Sequence, residues 1–453
     1  MPQTFTGHLG LDHMGTHVPH AFTVPEGVGT LRIRFTHDPA HPGSGDIPHQ
    51  LSISVYGPNG ARGTRHNNAD QSPVISTHHA SPGYLPGPIE AGDWRVEIDV
   101  HRILPPGGVS YRIEVDWDAD ELPAPDAPPV QTATRNRGEG WYKGDLHGHT
   151  LHSDGALTVA EYLDYALERG FDFVALTDHN TTSALPELMA RAGEAITILP
   201  GEELTTYNGH ALVLGTTAWV DWAIRDGQTM AGRAREVTED GKVFVIAHPK
   251  SEGHPFCTGC RWAFADLLPG PARHVEVWNG PWTSCPQNPG GVALFYRWLN
   301  EGYRMIATCG TDTHRRAKPD QRHGFNVIRA ADNTLPALLD GLRAGESYIT
   351  SGPLLYAQAI SAGESATFGD CLPAGEVTAT CVLGDEDMPG DLTLTLIHNG
   401  KVIARTPCAT GLEHSAVLTA GSGDWITWEL RDSDGALHTI TNAILFGGEE
   451  AWI

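Results

Sequence analysis

Histidine and carboxylate concentrate in five short runs in the middle of this chain: GDLHGHTLHSDG (144–155), TDHN (177–180), PGEELTTYNGHALVLG (200–215), AHP (247–249) and GTDTH (310–314). Imidazole nitrogen and carboxylate oxygen are the donors that borderline and hard divalent cations prefer, so the set reads as a multinuclear metal site. Two cations sharing one carboxylate can share a water and lower its pKa enough to supply hydroxide near neutrality. One cation then polarises the scissile oxygen. That is hydrolysis without a serine or cysteine nucleophile, and the chain has no Gly-x-Ser-x-Gly elbow.

Several of these residues can be read directly. His147 and His149 lie two apart on an extended segment and share a face, so both can bind one cation. Asp145 is on that face and is expected to orient a ligand from behind. Asp312 and His314 alternate in the same way. His248 ends an apolar strand, Lys242–Ala247.

The elements that must position them fall into three segments. Residues 1–135 carry alternating runs, Leu31–Phe35, Leu51–Tyr56, Trp94–Val100 and Tyr111–Trp117, the mark of half-buried strands in a β-sandwich. A proline-rich polar stretch, 121–140, reads as a linker. In 136–354 strand-like and helix-like runs alternate. Thr158 and Glu161 form a capping box, apolar residues follow at helical spacing, and Gly170 stops the helix. Phe171–Thr177, Lys242–Ala247, His274–Trp278 and Arg304–Thr308 read as buried parallel strands. This predicts an α/β fold, a barrel or an open sheet, with chemistry at the carboxyl ends of the strands. Residues 355–453 return to alternation (Leu392–Ile397, Ser415–Leu418, Trp425–Leu430) and read as a smaller C-terminal β-sandwich.

At 453 residues the chain can bury full cores, and its formal charge of −25 argues against nucleic acid or an anionic membrane as partner. A small-molecule ester remains compatible, because bound cations would dominate the local field. Oligomeric state is left open. No signal peptide or apolar run of spanning length appears, and the odd count of 7 cysteines points to reduced thiols in a cytoplasm. Cys257 and Cys260 form a lone CxxC in a loop after His254-Pro255; a redox pair or half a zinc knuckle are its functional readings, and with no second CxxC an ordinary loop pair is the expectation. Of the 24 histidines, those outside the five runs are expected at the surface or in loops.

The middle segment resembles the PHP (polymerase and histidinol phosphatase) superfamily of metal-dependent phosphoesterases. The motifs that carry the resemblance are DLHGHT with SDG behind it, TDHN after a strand, Gly-x-Glu, a His-Pro and a closing Asp-x-His. VEVWNGPW (275–282), TCGTDTHR (308–315) and LRAGESYITSGP (342–353) look like its carbaryl hydrolase-like (CehA/McbA) branch, with Thr311 where that branch often has serine. The resemblance implies a distorted (β/α)7 barrel, flanked here by N-terminal and C-terminal β-sandwiches. It implies two or three divalent ions (manganese, iron or zinc) held by His147, His149, Asp154, His179, Glu203, His210, His248, Asp312 and His314. The match picks Glu203 as the bridge, with Glu202 as fallback. Asp154 could instead close an Asx-turn before Gly155, and His210 could face substrate rather than metal. Glu203, Asp312, His210 and Arg315 are the expected catalytic residues, and Trp278, Asn279 and Arg315 the expected substrate contacts. The reaction implied is phosphoester hydrolysis, mono- or diester, with a small or aryl leaving group. A carboxylic or carbamic ester hydrolase and a non-catalytic metal- or glycan-binding protein are the alternatives.

Overall fold

The computed structural model describes residues 3–41, 47–105, 107–265, 269–318, 321–384, 391–408, 411 and 413–453. The alternating N-terminal runs form β1 (Gln3–Leu9), β2 (His17–Val24), β3 (Thr30–Asp38), β4 (Gln50–Gly57), β5 (Gly60–Thr64), β6 (Val74–Ser76), β7 (Gly92–Arg102) and β8 (Val109–Asp118). They pair as two four-stranded antiparallel sheets, β1-β8-β3-β6 and β2-β7-β4-β5. Every second residue points inward, and Ile33, Ile53, Val96 and Ile113 from both sheets meet in one core.

The central unit runs β9 (Gly140–Asp145), α1 (Val159–Glu168), β10 (Phe173–Leu176), α2 (Leu185–Ala192), β11 (Thr197–Thr205), β12 (His210–Leu214), α3 (Met230–Glu239), β13 (Val243–Ile246), β14 (His274–Asn279), α4 (Asn288–Asn300), β15 (Ile306–Gly310), β16 (Phe325–Ala330), α5 (Leu335–Ala344) and β17 (Ser347–Thr350). α1 starts at the expected box: Glu161 N–H donates to Thr158 Oγ1, and the Glu161 carboxylate accepts from Thr158 N–H. Gly170 follows its end at φ +63°. The sheet order is β15-β14-β13-β12-β11-β10-β9-β16-β17. β10, β13 and β15 are buried along their whole length, as apolar runs covered on both faces must be. The sheet curls until the segment after its edge strand β15 touches the segment after β9. There Asp312 N–H donates to His147 O at 3.0 Å and His149 N–H to Thr313 O at 2.9 Å.

The distorted (β/α)7 barrel that the resemblance implies is not seen among the described residues. The described residues hold five α-helices. β11 turns directly into β12 as an antiparallel hairpin, and β12 also pairs antiparallel with β13. The sequence reason is the short Thr206–Gly209 link, too brief for a crossover helix.

The long sheet does not stop at residue 354. β17 pairs with Leu437–Thr441, and the sheet continues through Trp425–Arg431, Thr393–His398 and Lys401–Pro407. A second sheet of Leu355–Ser361, Glu364–Ala366, Gly375–Leu383 and Glu413–Ala420 faces it. Their shared core takes in Val327 and Tyr348 of the central unit beside Leu355, Leu394 and Trp428. Residues 121–139 lack regular structure but are tied down. Gln131 N–H donates to Arg191 O, Arg135 N–H to Glu194 O, and Arg137 pairs with Asp332.

Two expectations are corrected here. Cys257 and Cys260 are joined as a disulfide, so not all the thiols are free. The histidines outside the five runs are not all at the surface, since His66 and His101 are buried. Among the described residues no helix is long and apolar enough to cross a membrane.

Candidate metal centre

Strand ends bring the donors together, and each position has a local reason. His147 and His149 follow β9, and His179 follows β10. Glu203 lies within β11, His248 follows β13, and Asp312 and His314 follow β15. The seven-residue spacing from Glu203 to His210 is explained by the hairpin. Thr205 pairs with His210, so Glu203, Thr205 and His210 share one face. Glu202, one residue off, faces the other way and accepts from Val220 N–H. His248 and Asp312 have φ of +27° and +50°, conformations that non-glycine residues adopt at a cost and that cluster at functional sites.

Glu203 is the hub. Its Oε1 lies 3.0 Å from His210 Nδ1 and 3.2 Å from His248 Nε2, and its Oε2 lies 3.1 Å from His147 Nε2 and 3.0 Å from His179 Nδ1. All nine residues expected as ligands fall into sets whose donor atoms lie within 4.8 Å of one another. One set is His149, Asp154, His179 and His314, another His147, His248 and Asp312. Two more meet on Glu203, with His147 and His149 and with His179 and His210. Asp154 Oδ1 is 3.1 Å from His314 Nε2 and 3.4 Å from His179 Nε2, a convergence that an Asx-turn alone would not require.

Four of the imidazoles reveal which nitrogen is available. Carbonyl and carboxylate oxygens only accept, and the outer nitrogen of each of these rings lies beside one, which holds a proton there. Those neighbours are Glu276 Oε1 for His147 Nδ1 (3.0 Å), Thr258 O for His210 Nε2 (3.2 Å), Cys260 O for His248 Nδ1 (3.3 Å) and Asp312 O for His314 Nδ1 (2.9 Å). The other nitrogen of each ring faces a cluster carboxylate, so with a cation bound between them its lone pair would be the one that ligates. That is the arrangement metal ligation needs, with the outer hydrogen bond fixing ring and tautomer. The residues therefore fit bound metal cations.

The electrostatics agree. Burial would raise the Glu203 carboxyl, but His179, His147 and His210 outweigh it and hold it well below the usual carboxylate range. Burial would likewise lower His147, and Asp312, Glu203 and Glu276 together lift it well above the ordinary imidazole value. His248 is raised to about 9 against its burial by Glu203, and His314 to about 10 by Asp154 and Asp312. Burial wins at His149, lowered to about 4. Without a cation, His147, His248 and His314 take up protons to answer the carboxylates.

Supporting residues differ from expectation. Asp145 does not touch a ligand ring. It accepts from Thr311 N–H (3.0 Å) and His147 N–H (3.3 Å), tying β9 to β15 where both ligand pairs begin. Asp178 holds the loop before Asp154, accepting from Thr150 N–H, Thr150 Oγ1 and Ser153 Oγ, each at 2.7 Å. Trp278 is fully buried, with its indole N–H on Gly280 O, so it is core rather than a substrate contact. Asn279 Nδ2 donates to Glu276 Oε2 at 3.0 Å and to Asp312 Oδ2 at 3.2 Å. Arg315 is exposed and lines a cleft of about 420 Å³ with Asn279, Asp312, His314, Arg316 and Lys318. The side chains of Asp312 and His314 are 22% and 33% exposed against 0% for His147, His149 and Glu203, which puts the mouth of the site on that side.

Sequence reasoning missed two groups. Glu276 is 1% exposed, and besides His147 it accepts from His248 N–H at 3.0 Å. The signal was a lone carboxylate in the apolar run His274-Val-Glu-Val-Trp278. The second group comes from the N-terminal sandwich. Asn67 Nδ2 donates to Asp154 Oδ2 at 3.0 Å, Asn68 Nδ2 to Ser153 O at 3.0 Å, and the Arg65 guanidinium to Leu151 O. The buried His66 ring sits 4.9 Å from that of His179. No local pattern in the sequence announces these contacts.

Residues 145–241 match the sequence profile of the PHP domain. The chain is 43% identical over 65 residues to the 5'-3' exoribonuclease Rnm of Salmonella typhimurium, which is 14% of this chain and 22% of that protein. It is 43% identical over 70 residues to a 3',5'-nucleoside bisphosphate phosphatase of Chromobacterium violaceum, 15% of this chain and 25% of the relative. The match thus spans about a quarter or less of these relatives. A crystal structure of a two-domain protein from Bacteroides vulgatus, described as containing a predicted PHP-like metal-dependent phosphoesterase, covers 71% of this chain and 100% of its own. Its TM-score is 0.42 and its identity 15%. The chain thus carries a PHP domain match over residues 145–241.

Proposed function

We propose that this protein is a metal-dependent hydrolase that cleaves a phosphomonoester or phosphodiester with a small or aryl leaving group, of the carbaryl hydrolase-like kind within the PHP group. The observation that carries the reading is the convergence of His147, His149, Asp154, His179, Glu203, His210, His248, Asp312 and His314 on strand ends around one buried carboxylate, with the outer nitrogens of His147, His210, His248 and His314 held by acceptors away from the cluster. Divalent manganese, iron or zinc bound there supplies Lewis acidity and a nucleophile of lowered pKa.

The chain's own residues do the rest. Glu203 reaches both sides of the cluster, since its two oxygens face different imidazoles. Asp312, steadied by Asn279, faces the mouth. Arg315 has no ion-pair partner among the described residues and stands in the cleft with Arg316 and Lys318, cations well placed for a phosphoryl oxygen in a chain of charge −25. Arg316 is already paired with Glu168, so Arg315 is the freer of the two. A carboxylic or carbamic ester, neutral at its reacting centre, would make little use of these cations. The overall charge favours a small ester over a long nucleic acid.

The test is one chelator-treated preparation, reloaded singly with Mn²⁺, Fe²⁺ or Zn²⁺ and assayed on aryl phosphomonoesters, phosphodiesters, acetates and carbamates. Activity should vanish with the metal, return with it, and be greatest on a phosphoester. Full activity in protein shown by elemental analysis to be metal-free would refute the reading. Preference for the carbamate would move the function to the alternative ester class.

A further inference from the structure

The CxxC pair is not an isolated loop feature. The segment that Cys257 and Cys260 bracket supplies the two backbone carbonyls that fix His210 and His248. Thr258 O faces His210 Nε2 at 3.2 Å, and Cys260 O faces His248 Nδ1 at 3.3 Å. The opposite nitrogens of the same rings lie 3.0 and 3.2 Å from Glu203 Oε1. Between the cysteines, Gly259 has φ +80° and presses against the hairpin. A Cβ there would come within 1.9 Å of Thr206 O and 3.1 Å of His210 Nε2, so only glycine lets the loop approach this closely. Thr258 Oγ1 anchors the loop to His101 O at 3.0 Å. Ligand-type atoms of His210, Cys257 and Cys260 all lie within 4.8 Å of one another. Both cysteines are only partly buried, and neighbouring Phe256 is exposed, so a small thiol reagent can reach them.

We infer that Cys257 and Cys260 form a reversible thiol–disulfide site that sets how tightly the metal centre holds the ion at His210 and His248. Closed as a disulfide, the loop keeps both carbonyls against the rings, so that the nitrogens facing Glu203 are the ones free to ligate a cation bound there. Opened, the loop gains freedom at the residues that carry those carbonyls, and the two imidazoles lose their enforced tautomers. Closure transfers two electrons from the two thiols to a low-molecular-weight disulfide, which leaves as two thiols. A dithiol or phosphine reverses it. Losing such outer hydrogen bonds typically weakens metal affinity about 10- to 100-fold.

The inference rests on the metal-centre reading, and the experiment separates the two. The full chain is oxidised with glutathione disulfide or reduced with a phosphine, then desalted. Differential alkylation and mass spectrometry of the peptide holding both cysteines reports their state. Mn²⁺, a hard ion with little taste for thiolate, is then titrated and free ion read by its paramagnetic resonance signal. Oxidised protein should bind one Mn²⁺ about 10- to 100-fold more tightly than reduced protein, with the remaining sites unchanged. A Cys257→Ser/Cys260→Ser variant should match the reduced protein whatever the treatment. Reduction of the wild type gives the same comparison if that variant does not fold. Equal Mn²⁺ affinity in the two states, or a pair that stays alkylatable after oxidation, overturns the inference alone. Oxidised protein that binds no Mn²⁺ overturns the metal-centre reading and the inference with it.

Discussion

Glu276→Gln tests whether a residue that touches no proposed substrate governs the metal centre. The glutamate is buried and accepts three donors: the His147 ring at 3.0 Å, His248 N–H at 3.0 Å and Asn279 Nδ2 at 3.0 Å. Glutamine keeps the shape but offers one acceptor oxygen and one NH₂. If that oxygen stays with His248 and Asn279, the NH₂ faces His147 Nδ1, which must give up its proton and accept. The proton then sits on Nε2, the nitrogen turned toward Glu203, and His147 can no longer ligate. The alternative flip leaves His248 N–H and Asn279 facing a donor instead. Either way the loss is that of a supporting partner of a ligand histidine, about 10- to 100-fold in metal affinity, or ~1.4–2.7 kcal/mol. The metal-free protein should not suffer alike, because the substitution also removes one buried negative charge near Glu203 and Asp312. The assay is metal content after equilibration against graded chelator, with thermal unfolding of the apoprotein as control. Unchanged affinity at unchanged apo stability would refute the tautomer argument, and a collapse of apo stability would make Glu276 a structural residue.

Three further outcomes follow from the same geometry. Glu203→Gln should lower bound metal and cut turnover by several orders of magnitude, whereas Glu202→Gln, on the opposite face of β11, should leave metal content intact by elemental analysis. Asn67→Ala removes the sandwich's hold on Asp154 and should weaken the ion nearest His179 and His314 by about 5-fold, the worth of ~1 kcal/mol for one hydrogen bond, with the other ions retained in a chelator titration. Metal uptake should release protons at pH 8, because in the metal-free site His248 and His314 are raised to about 9 and 10. The same shifts stabilise the apoprotein fully below the unfolded value of about 6.5 and are lost as pH rises through 9 to 10. Apparent affinity therefore climbs with pH over that window. Calorimetry in buffers of different ionisation enthalpy counts the protons, and a count of zero would contradict the cation-free charge state described here.

The ligand types and most of their positions were legible in the sequence, because short-range geometry decides them. Two-residue spacing puts His147 with His149 and Asp312 with His314 on common faces, and an apolar run before each motif places it at a strand end. The capping box at Thr158 and the stop at Gly170 were readable for the same reason: their partners lie within one turn. What could not be read depends on partners far along the chain. Glu276 is an odd carboxylate in a strand until the fold sets it against His147, 129 residues away. Asn67 and His66 belong to a sandwich whose own pattern contains nothing but alternation, yet that domain walls the Asp154 side of the site. Trp278 looked like a pocket residue because its neighbours in sequence are functional, but its side chain falls on the buried face. The continuation of the sheet past residue 354 and the Cys257–Cys260 bond next to His210 were likewise settled by tertiary packing. Sequence determines which donors are present and which face each takes along its own strand. Which donors meet, and which hydrogen bond fixes each imidazole's tautomer, depends on strand pairing and domain docking, interactions between residues whose separation along the chain carries no periodic signal.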